Sequence, residues 1–179
     1  DSDHHDPSPL FAFSGMVDPM LFTHSRNGLF KIGPDARATM RLYEQHRQDA
    51  LEAGGLLLGR YLRGGWDIVV DRVTVPMPED VRSRFGFYRA QKAHQEAVRE
   101  AWEASKGTCH FLGDWHTHAE PSPKPSSIDL DNWKRTLRET VMDDEACFFV
   151  IVGQSEVCVW EGDLRSGEIR RIRAISKAE

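Results

Sequence analysis

The sequence predicts an α/β (α+β) fold, one curved mixed β-sheet flanked by helices. Three observations support it. Apolar runs of strand length, such as Gly54-Gly55-Leu56-Leu57-Leu58 and residues 146–152, are bounded by Gly, Pro and charged residues. Two longer segments repeat apolar residues at helical spacing. The two kinds of segment alternate along the chain and converge on one cluster of His, Asp and Glu.

Taken in order, Leu29-Phe30-Lys31-Ile32 reads as a short strand. Gly33-Pro34-Asp35 then opens a helix, because Pro suits a first turn where no N–H is needed. Ala36, Met40 and Leu42 or Tyr43 carry its apolar face to about Gln48, and Glu52 falls in the turn after it. Gly54 to Leu62 and Trp66 to Val75 read as paired strands with Arg63-Gly64-Gly65 as the hairpin turn. Pro76 to Phe87 is expected to be irregular, broken by Pro76, Pro78 and Gly86. A helix is expected over Tyr88 to Ala104, with Ala93, Ala97 and Ala101 on one side and Val98 and Trp102 beside them. Cys109 to Trp115 reads as a buried strand that ends in two histidines. Pro121, Pro123 and Pro125 stiffen the following loop. Either Ser126 or Ser127 can cap a helix running to about Thr140, with Asp129 in its first turn. Strands over Ala146 to Val152, Glu156 to Glu161 and Glu168 to Ile175 complete the chain.

At 179 residues the chain is most simply one domain after a short appended segment. Its 40% hydrophobic and 28% charged content is that of a globular protein. A net charge of -5 argues against nucleic acid as a main partner. No apolar stretch approaches the ~20 residues of a membrane-spanning helix, and no signal-peptide pattern opens the chain. Cys109, Cys147 and Cys158 are odd in number and irregularly spaced, which fits core packing in a reducing cytoplasm rather than a disulfide framework.

The chemistry sits in His116-Thr117-His118, seven further residues, then Ser126-Ser127-Ile128-Asp129. Two histidines one apart project to the same side of an extended segment. Asp129 can return to meet them. Two imidazoles and a carboxylate make a three-ligand zinc site with a position left for water, as in catalytic rather than structural zinc. Glu52, just before the Gly-rich strand, is the candidate proton acceptor. Each residue also has a plainer reading. Asp129 could serve the helix dipole, Ser126 the helix cap, and Trp115 the strand. Cys109 and His110 are adjacent on a strand, point to opposite faces, and so do not form a catalytic dyad.

The spacing of Glu52, His116, His118, Ser126 and Asp129 resembles the JAB/MPN (JAMM) zinc metalloproteases, over roughly residues 26–175. The text Gly113-Asp114-Trp115-His116-Thr117-His118-Ala119-Glu120-Pro121 is most similar to the bacterial branch of CBASS antiphage operons, the CD-NTase-associated isopeptidases. Ala119 departs from the Pro found in many relatives, which bears on loop stiffness and not on ligation. The resemblance implies a cytidine-deaminase-like JAB/MPN fold and one zinc held by His116, His118 and Asp129. It implies Glu52 as general base and Ser126 as oxyanion donor. The substrate would be the bond after the terminal Gly of a CD-NTase or ubiquitin-like modifier joined to a target protein. Arg82, Arg84 and Trp115 are candidate substrate contacts. The alternatives are a deubiquitinase-like processing enzyme of another bacterial ubiquitin-like operon, a non-catalytic MPN scaffold and a hydrolase of small amides.

Residues 1–15 differ from the rest, beginning acidic and His/Pro-rich and then turning apolar before Ser14-Gly15. Met16 resembles a native start, so the domain is expected over 16–179. Given the resemblance, Phe11, Phe13, Ser14 and Gly15 read as a substrate-like tail, a CD-NTase C-terminal peptide fused ahead of the enzyme. An ordinary leader or cloning remnant is the other reading.

Overall fold

Apolar runs become strands throughout a computed structural model that describes residues 17–175. The expected tail, with Phe11, Phe13, Ser14 and Gly15, lies outside the described residues. The elements are β1 (Met20–Thr23), β2 (Leu29–Ile32), α1 (Pro34–Arg41), β3 (Gly54–Tyr61), β4 (Ile68–Val73), β5 (Val81–Ser83) and β6 (Gly86–Tyr88). They continue with α2 (Gln91–Ala104), β7 (His110–Thr117), α3 (Ser127–Glu139), β8 (Ala146–Val152), β9 (Val157–Asp163), β10 (Ile169–Arg171) and β11 (Arg173–Ala174).

Nine strands form one mixed sheet in the order β10-β9-β8-β7-β3-β4-β2-β1-β11, and β5 and β6 form a separate hairpin. Its two end strands, β10 and β11, are separated in the chain only by Ile172. The sheet therefore curls until one stretch of chain, 169–174, closes both edges. Ile172 N–H donates to Val159 O at 2.9 Å on one side, and Ile175 N–H to Leu21 O at 2.9 Å on the other. Closure covers edge donors and acceptors that would otherwise template pairing with another chain.

Strand β8 shows how the core divides. Phe148, Val150 and Val152 face the inside of the curl, with Phe22, Phe30, Ile32, Met40, Leu57 and Trp115. Cys147, Phe149 and Ile151 face outward onto Trp133 and Leu137 of α3, with Cys158 and Trp160. Burial on both faces explains why β8 is a continuous apolar run rather than an alternating one. Each such side chain contributes ~1.5–3 kcal/mol of burial. Trp133 stacks on Phe149 with centroids 4.8 Å apart at 12°, which ties α3 to the sheet. All three cysteines are buried and free, as core packing requires.

The curved α/β sheet with flanking helices is the expected class, with local differences. An additional strand, β1, precedes those expected, and α2 starts at Gln91 rather than Tyr88 because Tyr88 pairs in the β5–β6 hairpin. Helix α1 ends at Arg41, not near Gln48. Beyond it the Gln45 side chain is drawn into the interior, 0% exposed, onto the carbonyls of Ala50 and Arg84, and helical continuation would point it elsewhere. The segment expected to be irregular holds the β5–β6 hairpin, whose two-residue connection is Arg84-Phe85. The strand expected over Glu168 to Ile175 divides at Ile172, where it passes from one sheet edge to the other.

Candidate metal centre

Strand β7 runs between β3 and β8, antiparallel to the first and parallel to the second. This central position buries His116, which pairs opposite Gly54 and Ile151. The chain leaves the ladder just beyond Thr117, and His118 N–H donates to Val152 O at 3.0 Å. Both imidazoles thus emerge at the same end of the sheet, with ring centroids 4.8 Å apart.

Helix α3 brings the third group. Ser126, not Ser127, is its N-cap. Ser126 Oγ accepts from Asp129 N–H at 3.1 Å, and Asp129 Oδ2 accepts from Ser126 N–H at 2.7 Å. This reciprocal box fixes the carboxylate at the helix start. It holds Asp129 Oδ1 at 3.2 Å from His116 Nε2 and Oδ2 at 3.2 Å from His118 Nε2. The two Nε2 atoms are 3.0 Å apart.

Each nitrogen thus faces a different oxygen of the one Asp129 carboxylate, at a spacing close to that between the nitrogens themselves. Donors of a tetrahedral zinc with bonds of ~2.0–2.1 Å lie ~3.3 Å apart, so the donor set fits that ion. The second nitrogen of His118 is also accounted for. Its Nδ1–H donates to Glu120 Oε1 at 2.8 Å, which leaves Nε2 with its lone pair toward the cluster when the ring is neutral.

Glu52 approaches from the other side, on the turn before β3. Its Oε1 is 3.9 Å from His116 Nε2, and it lies within 4.8 Å of ligand atoms on both histidines. Two carboxylates therefore flank the imidazole pair, Asp129 tightly and Glu52 more loosely. Their electrostatics diverge. Burial pushes the Glu52 carboxyl up to about 7, although the histidines oppose the shift. Burial also acts to raise Asp129, but hydrogen bonds from His116 and His118 outweigh it and hold the group well below the usual carboxylate range. Burial would lower His118, yet its bonds to Asp129 and Glu120 raise it to about 9. Behind the cluster, burial raises the Asp114 carboxyl against the opposing charge of Arg89, 3.9 Å away.

The cluster opens into a cleft of about 620 Å³ walled by the β5–β6 hairpin and α3. Phe85, Tyr88 and Ile128 line it and are exposed. Among the expected substrate contacts, Trp115 is 1% exposed and its Nε1–H donates to Thr74 O at 2.9 Å. Arg82 Nε donates to Glu52 O at 2.9 Å. Arg84 Nη1 donates to Arg47 O at 2.8 Å and to Gln48 O at 2.5 Å, and Arg84 also lines the cleft. Glu52 N–H in turn donates to Ser83 O at 2.7 Å. The hairpin thus grips the Glu52 backbone at both its N–H and its C=O. Sequence reasoning gave Glu120 no role. A carboxylate two residues after a candidate ligand was the signal that could have found it.

A family model described as prokaryotic homologs of the JAB domain matches residues 36–166. Curated proteins named CD-NTase/cGAS isopeptidase are similar to this chain. One from Pseudomonas aeruginosa is 36% identical over 69% of this chain and 78% of its own length. One from Escherichia coli is 33% identical, over 77% and 85%. One from Vibrio cholerae is 37% identical, over 64% and 69%. With the match spanning most of the chain and the curled sheet delivering the paired histidines, the protein belongs to the prokaryotic JAB family and has the JAB/MPN α/β fold.

Proposed function

We propose that this chain is a zinc-dependent isopeptidase of bacterial antiphage defence. It hydrolyses the bond after the C-terminal Gly of a CD-NTase (cGAS-like) or ubiquitin-like modifier, reversing conjugation to a target protein. The observation that carries the reading is the cluster of His116, His118 and Asp129, with the two Nε2 atoms 3.0 Å apart and each 3.2 Å from one Asp129 oxygen, and Glu52 beside it. The names of the curated relatives support the substrate class. No helix among the described residues is long and apolar enough to cross a membrane, and the reading places the protein in the bacterial cytoplasm.

Zinc held by His116, His118 and Asp129 would supply Lewis acidity toward water and the scissile carbonyl. Glu52, buried and raised to about 7, accepts the proton of the attacking water. As the C–N bond breaks, Glu52 passes that proton to the leaving lysine amine. Ser126 Oγ already accepts from Asp129 N–H, so its own hydrogen is left to donate to the developing oxyanion. The cleft between hairpin and α3 seats the extended tail.

Cleavage of a CD-NTase C-terminal tail fused to a fluorescent protein tests the reading. Loss of cleavage with Glu52→Ala or a chelator supports it. Intact fusion after incubation with zinc-replete enzyme contradicts it. The substrate-like tail at Phe11 to Gly15 belongs to the same proposal, and self-cleavage after Gly15 would register as a mass loss ending at Met16.

A further inference from the structure

Thr117 lies between the two histidines, so its side chain points away from the cleft. It is fully buried. Thr117 N–H donates to Ala53 O at 2.8 Å, but Ala53 N–H does not return to the Thr117 carbonyl as a regular antiparallel pair would. It donates instead to Thr117 Oγ1 at 2.9 Å. The hydroxyl therefore replaces a backbone acceptor at the point where the chain bearing Glu52 diverges from β7.

That hydroxyl donates onward to Gln45 Oε1 at 2.9 Å. Gln45, also fully buried, spends its amide hydrogens on Ala50 O at 3.1 Å and Arg84 O at 2.9 Å. Its backbone carbonyl accepts from Gln154 Nε2 at 2.8 Å. The orientation is unique, since flipping the amide would set its oxygen against two carbonyls. One side chain thus joins the His-x-His strand, the turn holding Glu52 and the hairpin that grips Glu52. Neither Gln45 nor Thr117 lines the cleft.

We propose that Gln45 and Thr117 are positioning residues. Through this buried link they set the separation between Glu52 and the imidazole pair. The inference rests on the hydrolase reading above, in which that separation governs proton transfer. A misplacement of about 1 Å at such a site can cost roughly 10²-fold in rate.

The test compares Thr117→Val, which keeps shape and loses both hydrogen bonds, with Thr117→Ser, which keeps them. Gln45→Met provides an independent break of the link. Amide exchange by NMR on the metal-free proteins gives a readout separate from turnover. Thr117→Val should speed exchange at Ala53 N–H at least tenfold. Its kcat on the tail fusion should fall about tenfold or more, with KM and zinc affinity within about twofold of wild type. Thr117→Ser should restore both exchange and kcat. Unchanged kcat in folded Thr117→Val or Gln45→Met, or a Thr117→Ser as impaired as Thr117→Val, would overturn the proposal. A wild-type protein inactive on the fusion, together with faster Ala53 exchange in Thr117→Val that Thr117→Ser restores, would instead count against the hydrolase reading alone.

Discussion

Asp129 Oδ2 accepts the Ser126 backbone N–H at 2.7 Å and lies 3.2 Å from His118 Nε2. One carboxylate oxygen therefore serves both the start of α3 and the imidazole cluster. The helix cap orients the carboxylate, and for this reason the Ser126-x-x-Asp129 spacing is rigid in space.

The two roles separate by mutation. Ser126→Ala removes the Oγ acceptor for Asp129 N–H and should cost about 1 kcal/mol of stability. It also removes the proposed oxyanion donor and should lower kcat by roughly 10²-fold. Chemical denaturation and steady-state kinetics measure the two effects. A stability loss without a rate loss would restrict Ser126 to capping.

Glu52→Gln keeps the shape of the site and removes the proposed proton acceptor. Zinc uptake, followed by competition with a chromogenic chelator, should stay within a few-fold of wild type. Turnover should drop by about 10²–10⁴-fold. If zinc uptake collapses instead, Glu52 is a ligand, as its position near both imidazoles also allows.

Arg82 distinguishes positioning from substrate contact. Its guanidinium binds the Glu52 and Leu51 carbonyls. Arg82→Ala should therefore lower kcat about tenfold with little change in KM. A rise in KM at constant kcat would restore the substrate-contact role expected from sequence.

Stability of the metal-free protein should fall as pH rises from 4.5 to about 9. The folded Glu52 carboxyl is raised by burial from its ordinary 4.5 to about 7. Its contribution is complete below 4.5 and lost as pH rises through about 7. His118 is raised from 6.5 to about 9 against the effect of burial, so its contribution is complete below 6.5 and lost through about 9. Both slopes have the same sign. Melting temperature in chelator across this range measures them, and Glu52→Gln should flatten the lower part. Zinc binding must displace the His118 proton, so its affinity should rise over the same interval.

Gly113 tests the fold that positions the histidines. Its φ is 146°, and a Cβ there would lie 1.7 Å from Phe148 O on the neighbouring strand. Gly113→Ala should destabilise the protein by about 4 kcal/mol or more, read from denaturant midpoints. A variant of near-normal stability would show that β7 and β8 separate more easily than this close approach implies.

The clustering of His116, His118, Asp129 and Glu52, and the capping of α3 by Ser126, were legible from residue type and spacing. Gln45 was not legible, since a buried hub and a solvated helix Gln look alike in sequence. Arg82 was read as a substrate contact because carbonyl acceptors leave no mark on composition. The β5–β6 hairpin was missed because Arg84-Phe85 lacks the Gly or Asn of common two-residue turns. Residues 169–174 read as one strand, but their division between two sheet edges follows from curvature, a property of the whole sheet.

The most direct measurement is hydrolysis, in ¹⁸O-labelled water, of a CD-NTase tail joined through its terminal Gly to a lysine ε-amine. With zinc-replete protein, the account predicts release of free lysine and one ¹⁸O atom in the new glycine carboxylate, with both signals lost on chelation and in Glu52→Gln. An isopeptide left intact by the zinc-replete protein, or cleaved equally well by Glu52→Gln in chelator, would contradict it.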